Sequence, residues 1–475
     1  MTASTVTLII TAEVSGQRVE LGKAEIPISE KLDESIYQGM QGMGQALYGA
    51  ILQGIDDGMR ETAPEGWQNM GREQRTVMTC VGPVTYKRRI YKDEQGKRRK
   101  PVDEVLGIIP YGRYSLGVQQ QGSYLASELP YREAADILGW LIRNHVSHSS
   151  IGRMIRFVGA SYQAEEQDRI EQIFERGESL EPGRIRAKVL YGESDGVFVP
   201  LQRETKKKVE VRVAMLYTGK KAIGVGRKAL ENKVVVTKIV NNSQEWKETV
   251  FRTAYEHFDL SKTTQLVVGG DGNSWVKQSF DLLELPTIFI LDRFHLYRNA
   301  RRAFGYTLKT EAWVRKICEG DLEGVLSDML AVAAKSPPRK ADGMKAYIKY
   351  LINNRDGLLD PDCRAHLQKG ISNLGGIEGN VDKLVVRRLK GRGRSWRLDG
   401  IKAMLEVCRH KEELRQGAFK TFLKSSDSHR HKTARQKKVD YGEWMQADVP
   451  AIRLCHSGRP WAKILKDIVH PRGVL

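Results

Sequence analysis

No stretch of this sequence reaches eighteen consecutive apolar residues, which removes the simplest membrane span, a helix of roughly 20 of them. Its opening, MTASTVTLIITAEVSG, has no basic residue ahead of a short apolar run, so neither export nor membrane insertion is expected. Cysteine is scarce: Cys80, Cys318, Cys363, Cys408 and Cys455 are scattered, odd in number and without a C-x-x-C pair. That excludes a disulfide framework and a zinc ribbon, and reduced thiols in a cytosol are expected. Fixed-period repeats, low-complexity tracts and coiled-coil heptads are also missing. Acid is the scarcer charge, with 58 Asp and Glu against 77 Lys and Arg, a net charge of +19 and a pI near 9.6. A polyanionic partner follows, nucleic acid first and an acidic membrane surface second.

What is present is enough chain for several cores: 475 residues, 40% of them hydrophobic, predict two to four structural units. Residues 1–114 read as a mixed α/β region: a strand pair, a helix near 32–60, and a basic β-hairpin around TYKRRIYKDEQGK. Residues 115–180 read as helical. There Ala134, Ala135 and Leu138 form one apolar stripe, Val146 closes a turn, and Ser147 or Ser149 caps a second short helix carrying Ile151, Met154, Ile155 and Val158. A helix-turn-helix would present His148, Ser149, Ser150, Arg153 and Arg156 to DNA; an ordinary helical hairpin fits the pattern equally.

From residue 181 the character becomes α/β. Strand candidates AKVLYGESDGVFVPLQ (with a break at Gly196), KKVEVRVAMLY and KVVVTKIV precede a helix, SQEWKETVFRTAYEHF; TTQLVV, a short helix near Trp275–Leu283, and TIFILD follow. Three strands, a helix, a strand, a helix and a strand make a mixed sheet with helical cover, in the ribonuclease H-like order. Residues 181–295 would form the first part of this core, 296–370 a helical insertion, 371–425 the rest of the core with a basic segment, and 426–475 a basic tail.

One stretch carries the chemistry. In QLVVGGDGNSWVK, glycines and Asp271 follow a buried strand, with no lysine and serine to make a phosphate loop. Ligands collect at the carboxyl ends of strands in α/β sheets, where Asp195, in the first strand of the same unit, is a second candidate acid. The glycines would let backbone approach metal and DNA closely. A third acid would complete a site for divalent metal: Glu378, in the first turn of a helix with Ile377, Val381, Leu384, Val385 and Leu389 on one side, or Asp382 one turn later. Any one of these alone is as well explained by a solvated strand end or a helix-dipole partner.

Together, TYKRRIYKDEQGK, PYREAADIL, ESDGVFVPLQ, GGDGNSWVK, LDRFHLYRN and GGIEGNVDKLVVRRLKGRGRSW resemble the DDE transposases of bacterial insertion sequences, most closely the ISLre-type family, related to Mutator-like transposases. The resemblance implies that Asp195, Asp271 and Glu378 are the catalytic acids and hold two Mg2+ or Mn2+ ions, with a helical insertion between the last two. Asp292 and His295 match the D-x-x-H signature that follows the second acid in those relatives. It implies cleavage at an element's ends and transfer of the freed 3′-hydroxyl to target DNA. The partners would be double-stranded DNA, as inverted-repeat ends and as target, and further copies of the chain pairing two ends at the nucleoid; no membrane is involved.

Between Lys383 and Lys402 eight basic residues face one acid, Asp399. Arg387, Arg388, Arg392 and Arg394 are candidate phosphate contacts, and Trp396 a candidate stacking platform for a splayed base. A solvated basic loop with a tucked tryptophan is the competing explanation. His429, His431, Cys455 and His456 fit no regular zinc spacing. A ribonuclease H-like nuclease or resolvase, and a DNA-binding protein without chemistry, remain as alternatives.

Overall fold

The computed structural model of the protein describes residues 5–14, 17–28, 30–61, 63–106, 108, 112–178, 181–358, 374–391 and 394–420. The basic tail expected over 426–475, with its histidines, and Arg392 lie outside these residues. The chain divides into two compact units, one reaching to Tyr162 and including a return from Glu406, the other running from Gln163 to Leu405.

In the first unit, β1 (Thr5–Val14) and β2 (Gln17–Pro27) pair antiparallel and lead into α1 (Leu32–Glu61). The antiparallel pair β3 (Gln68–Thr79) and β4 (Gly82–Lys92) follows, extended by β5 (Arg98–Arg99). Leu52 of α1 packs with Val77, Val84, Tyr86, Val102 and Ile108 in a small core. The expected basic hairpin is therefore real, but Arg88 and Arg89 are directed inward while Lys87 and Lys92 are exposed. Side chains on a strand alternate between faces, and β4 buries Val84, Tyr86 and Arg88 on one of them. Arg88 is 5% exposed and Arg89 7%. Arg88 pairs with Glu73 and Asp103, and Arg89 with Asp56 at 2.6 Å. Arg75 joins Asp103 from β3, and Tyr86 donates its hydroxyl to the same carboxylate at 2.8 Å. Buried guanidinium groups need such partners.

Asp103 sits in α2 (Pro101–Val105), which α3 (Leu116–Glu128), α4 (Tyr131–Leu141) and α5 (His148–Phe174) follow. The α4–α5 joint is closed by Asn144 N–H donating to the Gly139 carbonyl at 3.0 Å, and Ser147 Oγ caps α5 by accepting from Ser150 N–H at 3.1 Å. The apolar stripe expected across these helices is buried: Ala134, Ala135, Leu138, Val146, Ile151, Met154, Ile155 and Val158. The second helix is much longer than expected, 27 residues, because AEEQDRIEQIF continues it with strong helix formers and no Gly or Pro to stop it.

The second unit is mixed α/β. Its strands are β6 (Val189–Pro200), β7 (Lys208–Tyr217), a separate ribbon of β8 (Gly219–Gly224) and β9 (Arg227–Glu231), and β10 (Val234–Lys238); α6 (Ser243–His257), β11 (Gln265–Gly270), α7 (Ser274–Gln278) and β12 (Thr287–Leu291) come next. The five-stranded sheet has the order β10-β7-β6-β11-β12. Its first three strands run antiparallel, and β6, β11 and β12 are parallel. β6 is unbroken at Gly196, which allows Trp275 and Glu210 to pack close to the strand. Trp246, Val250, Phe251 and Phe258 press one face of α6 onto Leu190, Leu216, Leu266 and Val268 of the sheet.

Where the insertion was expected, α8 (Arg293–Phe304), α9 (Leu308–Cys318), α10 (Leu322–Ala334) and α11 (Pro338–Asn353) assemble around a core of their own, with Trp313, Val314, Met329 and Leu351 at its centre. The helical run resumes with α12 (Ile377–Val381), widens into a π-helical turn over Asp382–Val386 and ends in Arg387–Leu389. Among the described residues no helix is long and apolar enough to cross a membrane.

Candidate functional site

The site begins as a consequence of strand register. The β6–β11 ladder pairs Glu193 with Gly269, and the β11–β12 ladder pairs Gly270 with Leu291. Continued to the next positions, that register sets Asp271 opposite Asp195 on one side and Asp292 on the other. The hydrogen bond from Asp292 N–H to the Gly270 carbonyl, 2.9 Å, holds the second pairing. Adjacent strands lie about 4.8 Å apart, so one row across the sheet carries three carboxylates.

A helix start on each side completes the cluster. Asp292 caps α8, accepting from the N–H groups of Phe294 and His295, and its Oδ2 lies 2.6 Å from His295 Nδ1. Asp292, His295 and Glu378 each bring a ligand atom to within 4.8 Å of the others. Asp195 feels both remaining acids: burial pushes its carboxyl above the usual range, the Gly196 N–H and His295 oppose this, and the charges of Asp271 and Glu378 push it further up. Burial opposes protonation of His295, but the Asp292 hydrogen bond and the carboxylates around it outweigh burial and raise its pKa. Burial likewise works against ionised Asp292, yet the His295 contact leaves it below the ordinary value. The pair is thus biased toward imidazolium and carboxylate.

Oxygen donors crowded against one another, with one imidazole beside them, match the preferences of hard divalent cations such as Mg2+ and Mn2+. Asp195 is close enough to Asp271 and Glu378 to feel their charges, but among the described residues the ligand atoms that come within 4.8 Å of one another are those of Asp292, His295 and Glu378, without Asp195 or Asp271. Asp382, the alternative third acid, is instead held by Arg387 at 2.7 Å.

Glu193 is the residue that sequence reasoning missed. It is 2% exposed and accepts from the backbone N–H groups of Gly375 at 2.8 Å, Gly376 at 3.2 Å and Ile377 at 3.4 Å, and from the Tyr217 hydroxyl at 3.0 Å. One carboxylate on β6 therefore ties down the turn that starts the Glu378 helix. The available signal was parity: Glu193 and Asp195 share a strand face. From the insertion, the Tyr350 hydroxyl donates to the Asp271 carbonyl at 2.9 Å, while the Asp271 carboxylate accepts from Asn273 N–H at 3.0 Å and from its side-chain amide at 2.6 Å.

The glycines around Asp271 serve internal packing. A Cβ on Gly269 would meet Leu374, one on Gly270 would meet Val276, and one on Gly272 would meet Asn354. Each of these positions thus lets one of the protein's own side chains approach the backbone closely.

The other expected contacts separate into surface and interior. Ser149, Arg153 and Arg387 are exposed; Arg153 also donates to Ser150 Oγ at 3.0 Å. Arg388 is 5% exposed and lies over the Trp396 ring, 5.1 Å from its centroid. Trp396 is half-buried, donates its indole N–H to the Leu389 carbonyl at 2.9 Å, and bridges by backbone to Leu201 at the end of β6. Arg394 donates to the carbonyls of Arg387 and Arg388 at 2.9 and 3.2 Å, closing the helix end. Arg388 and Trp396 thus brace this segment against the sheet.

The model of an uncharacterised protein family, UPF0236, matches residues 24–418. A UPF0236 protein of Caldanaerobacter subterraneus subsp. tengcongensis is 24% identical over 77% of this chain and 74% of its own length; its name joins eleven designations from that organism. A second from the same organism is 25% identical over 77% of this chain and 70% of its own length. A UPF0236 protein in the vanSb 3′ region of Streptococcus gallolyticus is 23% identical over 86% of this chain and 88% of its own length.

Proposed function

The chain belongs to the uncharacterised protein family UPF0236, and we propose that it is a DNA transposase of the DDE type, built on a ribonuclease H-like core, that cuts at the ends of an insertion sequence and joins the freed 3′-hydroxyl to target DNA. What supports this reading is that Asp292, His295 and Glu378, from distant parts of the sequence, bring ligand atoms within 4.8 Å of one another, and that Asp195 feels the charges of Asp271 and Glu378. The order of the sheet, three antiparallel strands followed by two parallel ones, supports it. So does a relative with eleven designations for one protein in one organism, as a gene carried in many copies yields. The net charge of +19 suits a duplex partner.

In this reading Asp195, Asp271 and Glu378 hold two Mg2+ or Mn2+ ions. When bound, the ions supply Lewis-acid stabilisation of the attacking and leaving oxygens of a phosphodiester. Glu193 keeps the start of the Glu378 helix against β6. His295, oriented and charged by Asp292, contacts a phosphate oxygen of the scissile strand. Water attacks phosphorus and the 3′-oxygen leaves with a proton; that hydroxyl then attacks a target phosphodiester, so one bond forms for each one broken. The exposed start of α5, with Ser149 and Arg153, acts as a helix-turn-helix reading duplex ends, Arg387 contributes a phosphate contact, and two copies hold two ends at the nucleoid.

The test uses the full chain, Mg2+ and duplexes made from the DNA flanking its gene. Asp195→Asn, Asp271→Asn and Glu378→Gln are each expected to reduce cleavage and joining more than about 100-fold, since even partners outside a metal's direct ligands are worth 10–100-fold, with duplex binding retained. Normal cutting and joining by all three variants would overturn the assignment. Cleavage without joining of a pre-cut end would favour a nuclease or resolvase.

A further inference from the structure

The β8–β9 ribbon has no part in the chemistry above, and its construction is unusual. It pairs only with itself and stands apart from the five-stranded sheet. From Lys221 to Lys228 every residue is exposed; at its tip Ile223 is 64% exposed and Val225 fully so. Residues 219–230 include Lys220, Lys221, Arg227 and Lys228 and no acid. A soluble protein gains nothing in stability from large aliphatic side chains held in water. Here they crown a two-stranded arm flanked by positive charge.

The root of the ribbon is fixed beside the acidic cluster. Thr218 N–H donates to the Glu231 carbonyl at 3.0 Å. Leu230 reaches to within 3.1 Å of where a Cβ on Gly376 would stand, two residues before Glu378. Lys233, just past the ribbon, donates to the Asn380 side chain at 2.8 Å. From this root six residues of β8 extend, about 17 Å of strand. A duplex phosphate placed at the acids would therefore have its neighbouring base pairs within reach of the tip.

We propose that the β8–β9 ribbon is a DNA-deforming wedge. Lys221, Arg227 and Lys228 grip backbone phosphates, while Ile223 and Val225 insert at a base step next to the scissile bond and unstack it. Basic flanks with an apolar tip suit this occupant: phosphate contacts position an arm, and aliphatic side chains replace a base-stacking neighbour. The proposal rests on the transposase reading for its DNA partner and for where the scissile bond lies, while its test makes no use of cleavage.

The experiment uses the full-length protein in EDTA with a mixed-sequence duplex carrying a donor–acceptor pair at its ends and 2-aminopurine at internal positions. Wild type is expected to bind, shorten the end-to-end distance and brighten 2-aminopurine. Ile223→Ser/Val225→Ser should bind with an unchanged salt slope and lose both signals. Lys221→Ala/Arg227→Ala should reduce the slope of log affinity against log salt by about 2. Bending and unstacking undiminished in the serine variant would overturn the wedge while leaving the transposase reading standing. No binding by wild type would overturn both. Dissociation of a wild-type dimer by the serine pair, with bending unchanged, would assign the tip to self-association and overturn the wedge.

Discussion

Two hairpins in this protein are rich in arginine and lysine, and they use the charge in opposite ways. In β3–β4 three cations turn inward while Arg72, Lys87 and Lys92 stay exposed: Arg75, Arg88 and Arg89 are matched by Asp103, Glu73 and Asp56, and the acids come from both inside and outside the hairpin. In β8–β9 the one acid, Glu231, stands at the root end of β9, and the tip is exposed throughout. Composition alone treats the two alike. What separates them is burial: the arginines turned inward in the first hairpin need carboxylates beside them, since an unpaired buried charge is costly and a solvated one is not. The buried charge of the first hairpin serves stability; that of the second is exposed, where the proposed wedge would use it.

The widest gap between them should appear on removing one internal acid. Asp103 serves Arg75, Arg88 and the Tyr86 hydroxyl at once. Asp103→Ala leaves two buried guanidinium groups short of their counter-ion, and a loss of about 3–5 kcal/mol is expected, read by urea denaturation of the full chain. A loss under about 1 kcal/mol would place those arginines in water and erase the distinction.

Much of this was legible in the sequence. The strands of the five-stranded sheet announce themselves through runs such as VRVAMLY and TIFIL, the cap of α5 through the pair Ser147 and Ser149, of which Ser147 accepts the bond, and the candidate acids through their positions at strand and helix ends. What was hidden depends on partners distant in the chain. Glu193 looks like any acid in YGESDG until the turn at Gly375–Gly376 closes over it. Arg88 reads as surface charge although its parity with Val84 and Tyr86 puts it on the core face. The β8–β9 ribbon escaped because GKKAIGVGRKALE has neither a clean alternation nor an apolar run, and its strands are joined by a short glycine-containing tip. The buried role of Arg388 followed from a π-helical turn, which shifts the helical phase in a way that spacing does not reveal.

Acid titration should divide the hairpins next, with a smaller effect. Glu73 sits below the ordinary carboxylate range, chiefly through its contact with Lys100 and then Arg88, against a burial effect that pushes upward. A carboxyl with a depressed folded pKa stabilises above its unfolded value, and that contribution is lost as pH falls through the folded one. Thermal unfolding of Glu73→Gln should therefore show a shallower decline on acidification than wild type, converging with it at the acid end. An equally steep decline would remove Glu73 from the acid sensitivity of β3–β4. The β8–β9 ribbon has a single acid, Glu231 at its root, and none over residues 219–230.

The smallest expected change is the one that makes the contrast sharpest. Lys221→Ala/Arg227→Ala removes as many positive charges from the exposed ribbon as Arg88→Ala/Arg89→Ala would from the buried hairpin. Surface substitutions away from packed or paired groups stay within about 0.5 kcal/mol of wild type, so the urea midpoint of the ribbon variant should barely move. The buried pair should instead lose stability, because Asp103 is left with Arg75 but not Arg88, and Asp56 with Arg72 but not Arg89. Were the ribbon variant to unfold as readily as the buried one, Lys221 and Arg227 would have to be structural, and the division of charge between fold and partner would be wrong at its root.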